Sequence, residues 1–186
     1  MSSQIVPRAD ATALLVIDMQ ERLVPAMHDA DALVRRVEAL IRIGTDFGWP
    51  IVYSEQYPKG LGSTVAPVAS ALAEAAATRV EKMEFSLGRD PDFAADIQPG
   101  LPSHLVICGI EAHICVLQTA ADLQARGHQV FVPVDAVSSR HERMRDNGLT
   151  LVDRVGAVPT NVETILFQHL GRAGDDRFRR LAPLIR

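Results

Sequence analysis

A chain of 186 residues, 47% hydrophobic and 23% charged, is long enough and apolar enough to enclose one ordinary core. Its net charge of −4 offers no basic field to a nucleic-acid backbone, and no apolar run approaches a membrane span. We therefore expect one domain over residues 1–186 with no nucleic-acid or membrane partner. The polar stretch at 1–10 lacks a secretory-signal pattern, and two cysteines, Cys108 and Cys115, are too few for a disulfide framework. A reducing, cytoplasmic location is the simplest expectation.

In chain order, residues 12–18 form a continuous apolar run that ends abruptly in charge, which reads as a buried strand. Leu33, Val34, Val37, Leu40 and Ile41 then repeat at helical spacing, with Gly44 or Gly48 as the expected stop. Residues 51–53 read as a second strand, 55–65 as a polar Gly-containing loop and 68–76 as an Ala-rich helix. A strand ending at Lys82 follows, and then a short helix near Pro91. Residues 103–110 are the fourth strand and 114–126 a helix closed by Gly127. Residues 129–134 are a fifth strand, and Ser138 or Ser139 should cap a helix reaching about Val155. A short sixth strand at Val158, a helix over 161–170 and a final helix from Asp175 complete the chain.

Strands alternating with helices predict an α/β fold, a three-layer doubly wound, mostly parallel six-stranded sheet of Rossmann-like type with helices on both faces. In such sheets ligands bind beyond the carboxyl ends of the strands. Three segments end there in reactive side chains: Asp18 after the first, Lys82 at the third and Cys115 in the turn after the fourth. At a helix start, Cys115 is expected to have a lowered thiol pKa and backbone N–H groups for an oxyanion. Asp18 is placed to deprotonate it, and Lys82 to favour both charged forms. The competing readings are a small buried cysteine, a turn-capping aspartate and a surface lysine. None of the six histidines shows metal-ligand spacing, and a Cys–His pair would need unseen tertiary contacts.

Several segments together carry a family likeness: 13–20 with Asp18-Met19-Gln20, Val80-Glu81-Lys82 with Phe85-Ser86, 106–116 around Cys115, and 130–139. With these the chain resembles the isochorismatase-like cysteine hydrolases, which include nicotinamidases and N-carbamoylsarcosine amidohydrolases. Residues 56–62 and 109–119 are most similar to the isochorismatase domain-containing subgroup. The resemblance implies Asp18, Lys82 and Cys115 as catalytic triad. It also implies a cis peptide at Ile110–Glu111 that turns the N–H groups of Glu111 and Cys115 toward one oxyanion position. Nicotinamidases bind a metal through an Asp-x-His pair after the second strand; here that region reads Ser54-Glu55-Gln56-Tyr57, so neither a metal nor a cofactor is expected.

The expected activity is cleavage of a C–N bond in a small amide-like or carbamoyl substrate through a covalent acyl-enzyme. Gln20, Tyr57, Phe85, Glu111 and Ile114 are the candidates for the pocket wall. By analogy with the family a homo-oligomer, dimer or larger, is expected. The alternative is a non-catalytic binding or scaffold protein that keeps the fold.

Overall fold

The computed structural model describes residues 5–185, so the expectation for the polar opening stretch falls in part on residues 1–4, outside that range. The strands are β1 (Thr12–Ile17), β2 (Ile51–Gln56), β3 (Thr78–Lys82), β4 (His104–Ile110), β5 (Gln129–Pro133), β6 (Val137–Ser138) and β7 (Val158–Thr160). The helices are α1 (Ala30–Asp46), α2 (Pro58–Leu61), α3 (Ala66–Glu74), α4 (Leu117–Ala125), α5 (Glu142–Arg154), α6 (Val162–Leu170) and α7 (Asp176–Leu181). All the ladder pairings are parallel, in the order β3-β2-β1-β4-β5-β7, with β6 added beside β4.

The residues of β1 divide between two cores according to the two-residue repeat of a strand. Leu14 and Val16 join the side chains of α1, α3 and α6, including Val37, Leu40, Leu72 and Ile165. Leu15 and Ile17 join those of α4 and α5, including Ala120, Leu123 and Val152. Because both faces of the strand are covered, its sequence is apolar without alternation. Three layers result.

Among the described residues the sheet has seven strands rather than six. The ladder of β5 reaches β4 only from His104 to Val106, which leaves the far half of β4 without a partner on that side. Val137 and Ser138 fill the gap by pairing with Gly109 and Ile110. This moves the start of α5 as well: Ser138 belongs to the strand, where its Oγ donates to His28 O at 2.6 Å, and the N-cap is His141. Gly44 does not end α1. A Cβ there would stand 3.0 Å from the Trp49 ring, so glycine admits the indole and the helix continues to Asp46. Residues 55 and 56 extend β2, and a proline-started turn, α2, occupies part of the expected loop. Near Pro91 the chain forms a π-helical turn, Phe93–Ile97, in place of a regular helix. Asn161 and Asp175 cap α6 and α7, their side chains accepting from Thr164 N and Phe178 N at 2.7 Å.

From β1 the chain runs to β2 on one side, and β4 lies on the other. The crevice beyond β1 and β4 is therefore the switch point of the sheet.

Candidate active site

Asp18 is the first residue past β1 and has a left-handed backbone, φ 53°. Asp18 N donates to Ser54 O at 3.1 Å, which ties the turn to β2. Directly beneath it, β1 and β4 approach so closely that a Cβ on Gly109, φ 106°, would stand 2.1 Å from Ile17 O. Only glycine fits both that dihedral and that contact. The Ile110–Glu111 peptide after β4 is cis. A π-helical turn, Ala112–Val116, then carries Cys115 and runs straight into α4. α5 lies against this turn, and a Cβ on its Gly148 would come within 2.8 Å of Ala112 C.

Lys82 ends β3 with its side chain fully buried. Lys82 Nζ donates to Asp18 Oδ2 at 2.7 Å, to Gln56 Oε1 at 2.7 Å and to Phe85 O at 3.4 Å. Ser54 Oγ donates to Asp18 Oδ1 at 2.7 Å. Burial raises the Asp18 carboxyl above its ordinary range, and Lys82, Ser54 and Cys115 only partly offset this. The Cys115 thiol, 7% exposed, faces the same carboxylate. Burial first and Asp18 second push it up to about 12, against the pull of Lys82. This corrects the expectation of a lowered thiol pKa. The turn supplies a helix start, but removal from water beside an anion outweighs it, so the resting sulfur carries its proton.

Asp18, Lys82 and Cys115, far apart in sequence, thus meet in one buried cluster. The pocket candidates divide. Gln20 is not wall material: its Nε2 donates to Gln56 O at 3.0 Å and Gly62 O at 2.8 Å, and its Oε1 accepts from Gln56 N at 2.8 Å. Buried and fully satisfied, it fastens residues 56–62 to the end of β1. Tyr57 and Phe85 are exposed, and Tyr57 lines a hollow of about 290 Å³ with Lys59, Glu81 and Met83. Ile114 is partly buried against the α4 side of the core. Ile110 is wholly buried, and the Glu111 carboxylate is held at Oε2 by Arg140 N at 3.0 Å and Nε at 3.2 Å. His113 Nδ1 lies 2.9 Å from Ser139 Oγ, and no histidine is among the groups acting on Cys115.

Ser54 and Gln56 were not among the sequence candidates. Their signal was two polar residues at i and i+2 in a strand that begins Ile-Val-Tyr. Among the described residues no group of three metal-ligating side chains occurs, and no helix is long and apolar enough to cross a membrane.

Residues 12–164 match the family model described as the isochorismatase domain, a span that holds Asp18, Lys82 and Cys115. The chain belongs to the isochorismatase family. It is 35% identical over 178 residues to isochorismatase domain-containing protein 1 of Salmo salar, covering 94% of this chain and 61% of that protein. The chain thus spans less than two thirds of that relative's length. It is 31% identical over 186 residues to the secreted isochorismatase effector Isc1 of Phytophthora sojae, covering 98% of this chain and 87% of the effector. Among solved structures, the MAR1 ribonuclease of Caenorhabditis elegans superposes with a TM-score of 0.88 at 33% identity, over 96% of this chain and 91% of that one. The YcaC product of Escherichia coli, described as an octameric hydrolase of unknown specificity, shares the fold with a TM-score of 0.86 at 18% identity, over 100% of this chain and 89% of that one. The architecture is thus that of isochorismatase-family hydrolases.

Proposed function

We propose that this chain is a cysteine-dependent hydrolase that cleaves a C–N bond in a small amide-like or carbamoyl compound. One observation carries the reading: a buried carboxylate, paired at 2.7 Å with a buried lysine amine, also faces the Cys115 thiol. Asp18 accepts the Cys115 proton as the sulfur attacks the carbonyl carbon, so thiolate forms only in the reacting step. The carbonyl π pair moves onto oxygen. The donors proposed for that oxygen are the N–H of Glu111, just past the end of the ladder to β6, and the N–H of Cys115, in the turn leading into α4.

As the oxyanion collapses, the C–N bond breaks and Asp18 returns its proton to the departing nitrogen. Water then adds to the thioester while Asp18 takes its proton, and the thiol leaves reprotonated. Lys82 Nζ donates to Asp18 Oδ2 and so orients the carboxylate. Each proton and electron pair has a carrier among these side chains, so the scheme calls for no cofactor or metal. The proposal extends to a cytoplasmic location, in keeping with two free cysteines, to residues 1–186 forming one domain, and to a homo-oligomer. Tyr57 and Met83, exposed along one hollow, and the exposed Phe85 support self-association, as does the octameric state of YcaC.

The test is a panel of primary amides, carbamoyl compounds, lactams and single-stranded RNA, assayed with wild type and Cys115→Ala in parallel. Hydrolysis of one small C–N compound, abolished by the substitution, is expected. Turnover that survives Cys115→Ala overturns the covalent scheme. RNA cleavage alone would transfer to this chain the activity named for the nematode structure. Silence across the panel would favour a scaffold.

A further inference from the structure

Ser54 and Gln56 stand two positions apart in β2 and so project from the same face of the sheet. The scheme above gives neither a task, yet each holds one partner of the ion pair. Ser54 Oγ donates to Asp18 Oδ1 while Lys82 Nζ takes Oδ2, so both carboxylate oxygens are engaged. Gln56 Oε1 accepts from Lys82 Nζ. The amide is oriented from behind, because its Nε2 donates to Met83 O at 2.8 Å. Asp18, Gln56 and Phe85 together give the three ammonium protons three acceptors.

We propose that Ser54 and Gln56 are positioning residues of this site, Ser54 fixing the plane of the Asp18 carboxylate and Gln56 fixing the Lys82 ammonium, so that Asp18 meets the Cys115 thiol in one orientation. The inference rests on the reading of Asp18, Lys82 and Cys115 given above. A carboxylate turns in a broad torsional well, and an ammonium on a four-carbon stem has three rotatable donors. Neither group is oriented by its backbone alone. The sheet register supplies the holders: Ile17, next to Asp18, pairs with Ser54, and Gln56 pairs with Lys82. Glu55, between the two, binds Thr64 and Arg79 instead. Alternation along one strand thus separates anchoring of the loop from orientation of the reacting groups.

The charged and titratable groups facing Asp18 are Lys82 from β3 and Cys115 from the turn after β4; the thiol also faces Glu111. Removing the Ser54 hydroxyl takes away a donor that favours ionised Asp18, so protonation should reach the carboxyl at higher pH.

The experiment follows alkylation of Cys115 by iodoacetamide across the acidic and neutral range, with peptide mass distinguishing it from Cys108. The sulfur–carbon bond forms, iodide leaves and the thiol proton passes to Asp18. Wild type should show an acid limb where Asp18 becomes protonated. Ser54→Ala should move that limb upward by about one pH unit, the worth of one hydrogen bond to a charged group. Ser54→Thr, which keeps the hydroxyl, should return it toward wild type. Gln56→Met should move it the same way by less, and this partly exposed position decides alone if Ser54→Ala does not fold. Variants that melt earlier but keep the wild-type limb would show a merely structural role and overturn the inference. A wild type without an acid limb, or with Cys115 unlabelled throughout, would instead overturn the underlying reading of Asp18 and Cys115.

Discussion

Asp18 and Glu55, at the ends of adjacent strands, are both closed to water, at 1% and 2% exposure, but Asp18 lies far deeper in the protein, and each faces a cation. They titrate in opposite directions. Burial pushes both up. At Glu55 it is outweighed by Thr64 N and Oγ1, each at 2.7 Å, and by Arg79 Nε at 3.0 Å and Nη2 at 2.5 Å, so the carboxyl lies below its ordinary range. At Asp18 the bonds from Ser54 and Lys82, with the contribution of Cys115, do not overcome burial. The contrast teaches that an ion pair alone does not make a carboxylate inert. A shallow acid surrounded by donors becomes a structural anchor, whereas a deep one with fewer donors keeps an appetite for a proton.

The strongest way to break this comparison is to remove the members of each cluster. Cys115→Ala, Asp18→Asn and Lys82→Met should each lower turnover by at least ~10³-fold, whereas Glu55→Gln should stay within about tenfold of wild type. A loss at Glu55 equal to that at Asp18 would erase the distinction between anchor and base. Gly109→Ala strikes only the Asp18 side, where β1 and β4 close together. With a Cβ 2.1 Å from Ile17 O, it should cost about 3 kcal/mol or more in urea unfolding. Glu55→Gln should cost less, about 1–2 kcal/mol, because its bonds to Thr64 are buried while its Arg79 partner is partly in solvent.

Acidification sharpens the comparison with the gentlest perturbation. Glu55, lowered in the folded state, contributes stability that is complete above its ordinary value of about 4.3 and fades as pH falls through the folded one. Asp18, raised, acts in reverse: taking up a proton as pH falls favours the folded state, but it removes the base proposed above for the thiol proton. Turnover should therefore vanish, reversibly, at a pH where circular dichroism still reports the native fold. Inactivation that coincides with unfolding would contradict the opposed shifts.

Much of this arrangement was legible in the chain. Continuous apolar runs at 13–17 and 105–107 mark strands covered on both faces, and helical spacing from Leu33 to Ile41 marks α1. What escaped was set by partners distant in sequence. Val137 and Ser138 form a strand because β5 leaves half of β4 open, a vacancy no local pattern records. Gln20 lies beside Asp18 in sequence and looked like pocket wall, but residues 56–62 consume its amide.

From the sequence alone came the layered α/β architecture and the placing of an acid, an amine and a thiol at strand ends, because side-chain periodicity and abrupt polar stops are local properties. Tertiary structure alone decided which protons those groups hold. Titration depends on how much water is excluded and how many donors converge, and at Asp18 the groups that settle it arrive from β2, β3 and the turn beyond β4.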